Sequence, residues 1–432
     1  MTHSDGADDV LRVRGGGPLE GVVRLSGAKN SVLKLMAASL LADGEVRLSA
    51  VPDITDVPVM AAVLEGLGVR VERDVAAGTA VLSVTDDRDV RPPRDAVTRI
   101  RASVSCLGPL VARRGGAELA LPGGDRIGAR SIDLHLDGLE AMGATVERTD
   151  DGVAVRAERL TGARITLDFP SVGATENLVM AATLAVGRTV IENAAREPEI
   201  ADLCRMLVAM GARIQGIGSP TIAVEGVERL GGADWETCPD RIEAGTYLVA
   251  GALTGGRVRV ERVRAGDLTL PLRKLADVGA TVEVDDDAIT VSRSGPLEPV
   301  DVVTLPYPGF PTDLQPQMMV LLTQADGMSR CTENVFESRF SFVDELQRMG
   351  ADIDVDGHHA MLSGPTRLRG AELSGLDVRA GAAGVLAGLV AEGETVVRDV
   401  HHIDRGYADF VERLRALGGD VTRVSGGGPG GA

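Results

Sequence analysis

The chain has 432 residues, of which 44% are hydrophobic, 25% charged and 2% aromatic, with a formal net charge of −18. This length and composition are typical of a globular protein of two or three domains. The acidic balance argues against nucleic acid or an anionic membrane as the main partner. No apolar run reaches the roughly 18 residues of a membrane-spanning helix, and the first residues are acidic and polar, so we expect a cytoplasmic protein.

The predicted elements of the first part of the chain alternate between helix and strand. The stretch "NSVLKLMAASLLADG" has apolar residues at helical spacing and stops at Gly44, and the alternating stretch "EVRLSAV" follows as a strand. A second helix is predicted in "ITDVPVMAAVLEGLG", with Thr55 or Asp56 as a candidate N-cap and Gly68 at its end. The strand "VRVERD" completes this unit.

The same sequence pattern, an apolar residue and a glycine before an alternating strand, recurs along the whole chain. The recurring glycines stand 68 to 75 residues apart, at Gly68, Gly143, Gly211, Gly279, Gly350 and Gly418. A period this long favours duplicated α/β subdomains over a solenoid of shorter repeats.

We expect helices enclosed by sheets in two domains of three units each. Domain I would comprise residues 1–27, with the strand "VLRVRGG", and 240–432. Domain II would comprise residues 28–239 and would carry a lid loop at 121–130. We expect the glycine-rich C-terminal tail to be flexible.

Two stretches imitate ligand-binding loops. The stretch "LPGGDRIGAR", residues 121–130, is close to a P-loop but lacks the Lys and the Ser/Thr that bind phosphate and magnesium. Its residues alone leave three roles open: a phosphate cradle, a metal loop, or a lid that carries the acid Asp125.

The stretch "DIDVDG", residues 352–357, imitates a calcium loop, but Ser363 stands where a bidentate Glu is required. We predict a strand there, and the spacing of cysteines and histidines predicts neither a metal site nor a disulfide.

Nine stretches, in this order, resemble the UDP-N-acetylglucosamine 1-carboxyvinyltransferase family of enolpyruvyl transferases. They are "GAKNSVLKLMAASLLADG", "RASVSCLGPLVAR", "LPGGDRIGARSIDLH", "PSVGATEN", "NAAREPEI", "PDRIEAGTYL", "PGFPTDLQ", "TENVFESRF" and "HHIDRGY". The resemblance implies the inverted α/β barrel fold of that family, with two domains of three βαβαββ-like units. It also implies transfer of the enolpyruvyl group of phosphoenolpyruvate to the 3′-hydroxyl of UDP-N-acetylglucosamine, by addition and then elimination of phosphate. This reaction opens peptidoglycan precursor synthesis, and it implies no cofactor and no metal.

The resemblance also implies which residues bind phosphoenolpyruvate. Lys29 and Asn30 open the first helix, where helix N–H groups and an ammonium can share one anion. Arg130 and Arg405 match the family's phosphoenolpyruvate clamps, and the planar guanidinium suits both phosphate and carboxylate. Taken alone, Lys29 could be a solvated lysine and Arg405 a member of a surface ion pair.

A second set of residues matches the family's contacts to the nucleotide sugar: Arg101, Arg130, Ser131, Ile132, Asp133, Leu134, Ser171, Val172, Gly173, Asp313 and Val335. Asp313, in "PGFPTDLQ", matches the candidate base that contacts the sugar 3′-hydroxyl, although an N-cap aspartate is the simpler interpretation of the residue alone. Arg339 and Arg379 match cations that support these contacts. Phe169 and Pro170 stand where some relatives place Lys-Val, which removes one cation near the diphosphate.

Asp125 is the main departure from the family pattern, since most relatives carry cysteine there and a minority carry aspartate. That cysteine is a proton donor and the thiol that fosfomycin alkylates. We therefore expect Asp125 to be the general acid and the protein to be insensitive to fosfomycin. An aspartate with its ordinary pKa of about 3.9 is ionised at neutral pH. Desolvation would raise that pKa and Arg126 with Arg130 would lower it, a balance that the sequence leaves open.

Two alternatives to this function stay open at the level of sequence. One is an enolpyruvyl transferase of the same fold with another acceptor, such as shikimate 3-phosphate or a different nucleotide or nucleoside in a specialised pathway. The other is a non-catalytic sensor of nucleotide sugars. The presence of Lys29, Asp313 and Arg405 favours an enzyme over the sensor.

Overall fold

The computed structural model of the chain describes residues 9–88, 91–125, 127–129 and 131–425. The chain forms two compact units. Unit 1 comprises Met1–Leu25, Asp125–Arg130 and Pro239–Ala432, and unit 2 comprises Ser26–Gly124 and Ser131–Cys238. The start of the chain and residues 426–432, which we predicted as a flexible tail, lie outside the described residues. No helix among the described residues is long and apolar enough to span a membrane.

Short strands recur throughout the described residues. There are 23 of them: β1 Val10–Arg14, β2 Glu20–Arg24, β3 Val46–Ser49, β4 Val69–Asp74, β5 Thr79–Val84, β6 Gly116–Ala120, β7 Thr145–Thr149, β8 Gly152–Arg156, β9 Arg164–Thr166, β10 Arg188–Glu192, β11 Arg213–Gln215, β12 Thr221–Glu225, β13 Ala233–Glu236, β14 Arg257–Glu261, β15 Thr281–Val284, β16 Ala288–Ser292, β17 Val302–Val303, β18 Gly327–Thr332, β19 Asp352–Asp356, β20 His359–Gly364, β21 Glu372–Ser374, β22 Glu394–Arg398 and β23 Asp420–Val424.

Helices connect these strands. The described part of the chain has 14 α-helices: α1 Lys29–Ala38, α2 Asp56–Glu65, α3 Arg94–Val97, α4 Leu107–Arg114, α5 Asp133–Ala141, α6 Val172–Ala182, α7 Pro198–Ala209, α8 Arg241–Thr254, α9 Thr269–Asp277, α10 Gln315–Leu322, α11 Val343–Arg348, α12 Val378–Gly388, α13 His401–Asp404 and α14 Phe410–Ala416. Short 3₁₀ segments stand at Ser39–Leu41, Arg101–Cys106, Ala265–Leu268, Thr312–Leu314 and Arg339–Phe342.

One supersecondary unit recurs in both halves of the chain. In the sheet β11-β12-β10-β9, β10 pairs in parallel with β9 and antiparallel with β12, and β11 and β12 form a hairpin. The sheets β13-β3-β5-β4, β15-β16-β14-β2 and β17-β18-β20-β19 have the same arrangement, and the sheet β6-β8-β7 has three strands among the described residues. In the sixth sheet, β21-β22-β1-β23, β1 pairs antiparallel with both β22 and β23. The first strand of the chain thus completes the last repeat.

The recurring glycine of the repeat has a conformational reason. Gly68, Gly143, Gly211, Gly279, Gly350 and Gly418 all have φ between +76° and +110°. Each follows the second helix of its repeat, where a residue of positive φ ends the helix and turns the chain into the next strand. A side chain at these positions would be strained, so the repeat period predicted from the glycines is the period of the fold.

Buried helices form the core of each unit. In unit 1 every residue of α10 and α12 is buried, and α8 is buried from Arg241 to Leu253. In unit 2 the same holds for α6 from Ala174 to Ala182. Helices that are apolar on all sides must be covered on all sides. The strands around them bury alternate residues, as in β12 and β22, so each sheet presents one face to the helices.

The calcium-like stretch is a strand, as predicted. Residues Asp352–Asp356 form β19 and pair with β20 in an antiparallel hairpin. Asp352, Asp354 and Asp356 therefore share one face of an extended strand, where successive side chains are about 6.6 Å apart and do not converge on one point.

Candidate active site

In unit 2, three of the predicted substrate-binding segments lie at the starts of helical segments that pack on one another. Lys29 opens α1, Arg101 opens the 3₁₀ segment before α4, and Ser171 is the N-cap of α6, where its Oγ accepts from Ala174 N at 3.3 Å. The first N–H groups of a helix have no intrahelical partner and carry partial positive charge. These ends suit an anionic substrate such as a phosphate or a diphosphate.

Lys29 is held by a buried carboxylate. Its Nζ lies 3.2 Å from Asp56 Oδ2, and the two side chains are 11% and 4% exposed. Asp56 is the first residue of α2, and Thr55, the N-cap, makes no side-chain capping bond. Thr55 therefore does not cap α2 through its side chain, and Asp56 holds the ammonium at the start of α1. Asn30 follows in α1, and its carbonyl accepts from Lys34 Nζ at 2.8 Å.

A buried histidine, missed at the sequence level, lies beside the start of α6. His135 Nδ1 lies 2.9 Å from Asn177 Nδ2, and the same amide nitrogen donates to Val104 O at 3.1 Å and to Gly173 O at 3.4 Å. Burial and then the positive charge of Arg101 lower the pKa of His135 to about 3, so the ring is neutral at physiological pH. Because an amide nitrogen can only donate, Nδ1 accepts and the proton is on Nε2.

The predicted nucleotide contacts at 131–134 form the entry to α5. Ile132 is buried, Leu134 is half-buried, and Ser131 and Asp133 are exposed. Ser131 Oγ bonds the carboxylate of Asp133 and accepts from Asp133 N at 3.2 Å. The bond from Ser131 and, next, the cation of Arg148 lower the pKa of Asp133 despite some desolvation. A charged carboxylate repels a diphosphate, so a nucleotide contact here would come from the backbone N–H groups.

In unit 1, Asp313 is held between two buried arginines. Arg339 Nη2 lies 3.3 Å from Asp313 Oδ1, and Arg379 Nε and Nη2 both lie 3.3 Å from Oδ2. The two arginine side chains are 1% and 3% exposed, while that of Asp313 is 26% exposed. Two adjacent cations favour the ionised form of a carboxyl group, which is the form that a general base requires.

The N-cap interpretation of Asp313 is wrong. The residue lies inside the 3₁₀ segment Thr312–Leu314, and α10 begins after Leu314 with no side-chain cap. Two helices that pack against α10 do have capping aspartates. Asp240 accepts from N–H groups in the first turn of α8, and Asp377 accepts from those of α12. Asp313 differs from both in making no helix cap, and Arg339, which binds it, also lies with its Nη1 3.6 Å from Asp377 Oδ1.

Asp125 and Arg405 are brought together from positions 280 residues apart in the sequence. Arg405, the C-cap of α13, places Nη1 2.5 Å from Asp125 Oδ1, and the side chains are 14% and 15% exposed. Arg126 and Arg130, which we expected beside Asp125, lie outside the described residues.

The loop that carries Asp125 is bound by the segment after Val335. Ala129 N donates to Glu337 Oε1 at 2.6 Å, and Ser338 N donates to Ile127 O at 3.1 Å. Gly128 has a φ of +156°, which other residues rarely adopt, and a Cβ there would lie 2.5 Å from Glu337 Oε2, so a substitution would strain the backbone and displace the Glu337 side chain. The bond from Ala129 is the main cause of the lowered pKa of Glu337.

Val335 lies in a loop that a buried glutamate organises. Glu333 is 4% exposed and directly follows β18, and its Oε1 accepts from Val335 N at 2.7 Å. The sequence-level set omitted Glu333, Glu337 and His135. All three lie inside stretches that carry the family resemblance, which was the available signal for them.

Comparison with known proteins first identifies the class of protein to which the chain belongs. A family model described as EPSP synthase (3-phosphoshikimate 1-carboxyvinyltransferase) matches residues 13–414. The crystal structure of the enolpyruvyl transferase NikO from Streptomyces tendae has a TM-score of 0.88 and 30% identity, and covers 98% of this chain and 100% of that one. An EPSP synthase from Acinetobacter baumannii, at a TM-score of 0.73 and 18% identity over 96% of this chain and 99% of that one, shares the fold. The predicted enolpyruvyl transferase fold is confirmed.

Relatives of higher sequence identity show to which family of enolpyruvyl transferases the chain belongs. The UDP-N-acetylglucosamine 1-carboxyvinyltransferase of Corynebacterium jeikeium is 53% identical over 96% of this chain and 99% of its own length. The protein of the same name from Mycobacterium tuberculosis is 52% identical over 95% of this chain and 98% of its own length. The chain belongs to this family of enolpyruvyl transferases, as the sequence stretches predicted, and it is an enzyme.

Proposed function

We propose that the protein transfers the enolpyruvyl group of phosphoenolpyruvate to the 3′-hydroxyl of UDP-N-acetylglucosamine and releases phosphate, which opens peptidoglycan precursor synthesis. The observation that carries this proposal is 53% identity over 96% of the chain to a relative of that activity. The alternative, another nucleotide or nucleoside acceptor, has weaker support, because the neighbour NikO is only 30% identical.

The proposed reaction consists of an addition and an elimination. In the addition, the acceptor oxygen bonds to C2 of phosphoenolpyruvate, a base takes the hydroxyl proton, and an acid gives a proton to C3. In the elimination, the bond between C2 and the phosphate oxygen breaks and C3 loses a proton. No atom changes its oxidation state overall, so we propose neither a cofactor nor a metal.

We propose Lys29, Asn30, Arg130 and Arg405 as the phosphoenolpyruvate contacts. What supports Lys29 is its ion pair with Asp56, which keeps an ammonium at the N-terminus of α1. A cation and helix N–H groups at one point suit a phosphate or carboxylate. Arg405 is nearly buried, so it gains an anion at a smaller cost in lost hydration than an exposed arginine would.

We propose Asp125 as the general acid that protonates C3. Its bond to Arg405 favours the ionised carboxylate, which has no proton to give. When the phosphate or carboxylate of phosphoenolpyruvate takes Arg405 as its own partner, Asp125 loses a cation and gains a neighbouring anion. Both changes favour the protonated form. The acid would therefore become competent only with substrate present.

We propose Asp313 as the base that takes the proton of the acceptor hydroxyl. Arg339 binds Oδ1 of Asp313 and Arg379 binds Oδ2. A quarter of the Asp313 side chain is still exposed, which leaves room for a ligand. A carboxylate fixed at two oxygens loses little freedom when the hydroxyl arrives, which is the benefit of a preorganised group.

For UDP-N-acetylglucosamine we propose two groups of contacts. The helix starts at Arg101 and at Ser171, Val172 and Gly173 would bind the charged diphosphate and the sugar, together with the backbone of residues 131–134. Val335, whose loop is fixed by Glu333, would line the sugar near Asp313.

We further propose a cytoplasmic location, because both substrates carry several charges and do not cross a bilayer. The domain boundaries proposed are 27/28 and 239/240.

The test of the proposed function is an acceptor panel. Phosphate release from phosphoenolpyruvate is measured with UDP-N-acetylglucosamine, shikimate 3-phosphate and other uridine nucleotides, and the products are identified by mass spectrometry. We expect release with UDP-N-acetylglucosamine far above that with the other acceptors. Release with another acceptor alone would support the alternative, and no release with any acceptor would support a sensor. Lys29→Met serves as the inactive control.

A further inference from the structure

Two segments of unit 1 that carry proposed acceptor contacts meet at one buried carboxylate. Asp313 lies in the 3₁₀ segment Thr312–Leu314, and Val335 lies in the loop that follows β18. Glu333 stands between them and is 4% exposed. It has no part in the chemistry proposed above, yet a buried carboxylate is costly unless it is fully hydrogen-bonded.

Each oxygen of Glu333 binds a different segment. Oε1 accepts from Val335 N at 2.7 Å and from Phe336 N at 3.0 Å. Oε2 accepts from Thr312 Oγ1 at 3.0 Å and from Gln315 Nε2 at 2.9 Å, the residues on either side of Asp313 and Leu314. Four donors match the four lone-pair positions of a carboxylate, so the group is fully used in joining the two segments.

The surrounding bonds give the two segments a single geometry. Arg339 donates from Nε and Nη2 to Thr312 O, at 3.3 and 3.2 Å, and also binds Asp313. On the other side, Asn334 N donates to Thr304 Oγ1 at 3.0 Å. Thr312 is thus fixed at its hydroxyl by Glu333 and at its carbonyl by Arg339, and the direction of the Asp313 side chain depends on both.

We propose that Glu333 is a positioning residue for the acceptor substrate, which holds the Val335 loop and the Asp313 segment at a fixed separation. This inference rests on the proposed roles of Asp313 and Val335. The acceptor sugar would be oriented by the Val335 loop while its hydroxyl is deprotonated by Asp313. A shift of one segment against the other would then separate base and hydroxyl even though neither residue had changed.

The test compares Glu333→Ala and Glu333→Gln with a matched control, Glu345→Ala. Glu345 is also a buried glutamate of unit 1 that accepts from a backbone N–H, that of Ser374 at 3.1 Å, but it binds none of the proposed contacts. Steady-state kinetics give kcat and KM for each substrate, thermal unfolding gives stability, and hydrogen exchange follows peptides covering 311–317 and 333–338 in the free enzyme.

For E333A we expect kcat/KM for UDP-N-acetylglucosamine to fall about 100-fold, the effect of a misplacement of about 1 Å. KM for phosphoenolpyruvate should change little, and exchange should accelerate in both peptides together. E333Q should recover most of the activity, because its oxygen can still accept from Val335 and Phe336. Its amide can donate to Thr312 and, after a flip, to Gln315 Oε1, which has no hydrogen-bond partner among the described residues. E345A should lose stability with unchanged kinetic constants.

The proposal is overturned if E333A loses no more activity than E345A at equal loss of stability, or if only one of the two peptides exchanges faster. A rise in both KM values by the same factor would also overturn it. If the wild-type enzyme does not use UDP-N-acetylglucosamine while E333A still loosens both segments, the proposed function fails and the mechanical coupling stands. The two failures are therefore distinguishable.

Discussion

The buried carboxyl group of Glu176 gives the protein a pH-dependent stability that one substitution should remove. Glu176 lies in α6, is fully buried, and has Lys34 Nζ 3.5 Å from its Oε2. Burial raises its pKa to about 7 from an ordinary 4.5, against the opposing charge of Lys34 and with a contribution from Glu199 and Glu197. An acid whose pKa is higher in the folded state contributes stability that is complete below about pH 4.5 and is lost as the pH rises through about 7.

The magnitude follows from the size of this shift. Each pKa unit corresponds to about 1.4 kcal/mol, so between pH 5 and pH 8 the wild-type protein should lose roughly 2 to 3 kcal/mol of stability through this group. Glu176→Gln does not titrate, so its free energy of unfolding should lack this loss. The substitution also leaves Lys34 without its carboxylate, which adds an offset that does not vary over this pH range. The pH dependence, rather than the absolute value, is therefore the quantity to compare.

The assay can be restricted to the unit that contains Glu176. Trp235, the single tryptophan of the chain, lies in β13 of unit 2 and donates from Nε1 to Asp202 Oδ1 at 3.1 Å. Urea unfolding followed by its fluorescence at pH 5, 6, 7 and 8 reports on unit 2. Wild-type and E176Q curves with the same dependence on pH would refute the reasoning that burial perturbs this carboxyl group.

Three further predictions concern the chemistry. Asp313→Asn should lower kcat by about 10²- to 10⁴-fold while calorimetry still detects binding of UDP-N-acetylglucosamine, and an unchanged kcat would rule out the base. Fosfomycin should leave the wild-type enzyme active, whereas Asp125→Cys should become sensitive; covalent inactivation of the wild type, seen by mass spectrometry, would contradict this. All four cysteines are buried, and burial raises the pKa of Cys106 and of Cys204 to about 12, so a thiol reagent at pH 8 should label the native protein only after urea is added.

The repeat architecture was predictable from the sequence because it depends on local chemistry. Each recurring glycine has the positive φ that a helix end of this type requires, so the punctuation of the sequence reflects the geometry of the backbone. Helix α1 ends at Ala38 with a 3₁₀ turn to Leu41, close to the predicted stop at Gly44. The strand at Asp352–Asp356 was likewise predicted, from its place in the repeat.

The pairings within the candidate site were not predictable in the same way. Asp125 and Arg405 are 280 residues apart, and Glu333 joins loops that begin at positions 312 and 333. No periodicity encodes such contacts, because they depend on how complete repeats pack. The same holds for Asp56, whose sequence context indicates a helix cap while its carboxylate binds Lys29. Family resemblance supplied the identity of the candidate residues, and the structure supplied their partners.

The most direct test of the central claim is turnover of phosphoenolpyruvate and UDP-N-acetylglucosamine in D₂O, with the product analysed by NMR and mass spectrometry. Addition followed by elimination requires that a solvent-derived deuteron pass from Asp125 to C3 and that a hydrogen of the resulting methyl group be lost. The account predicts an enolpyruvyl ether on the sugar 3′-oxygen with deuterium in its methylene group, and almost no product from Asp125→Asn. An undeuterated product, or one without the enolpyruvyl group on that oxygen, would contradict it.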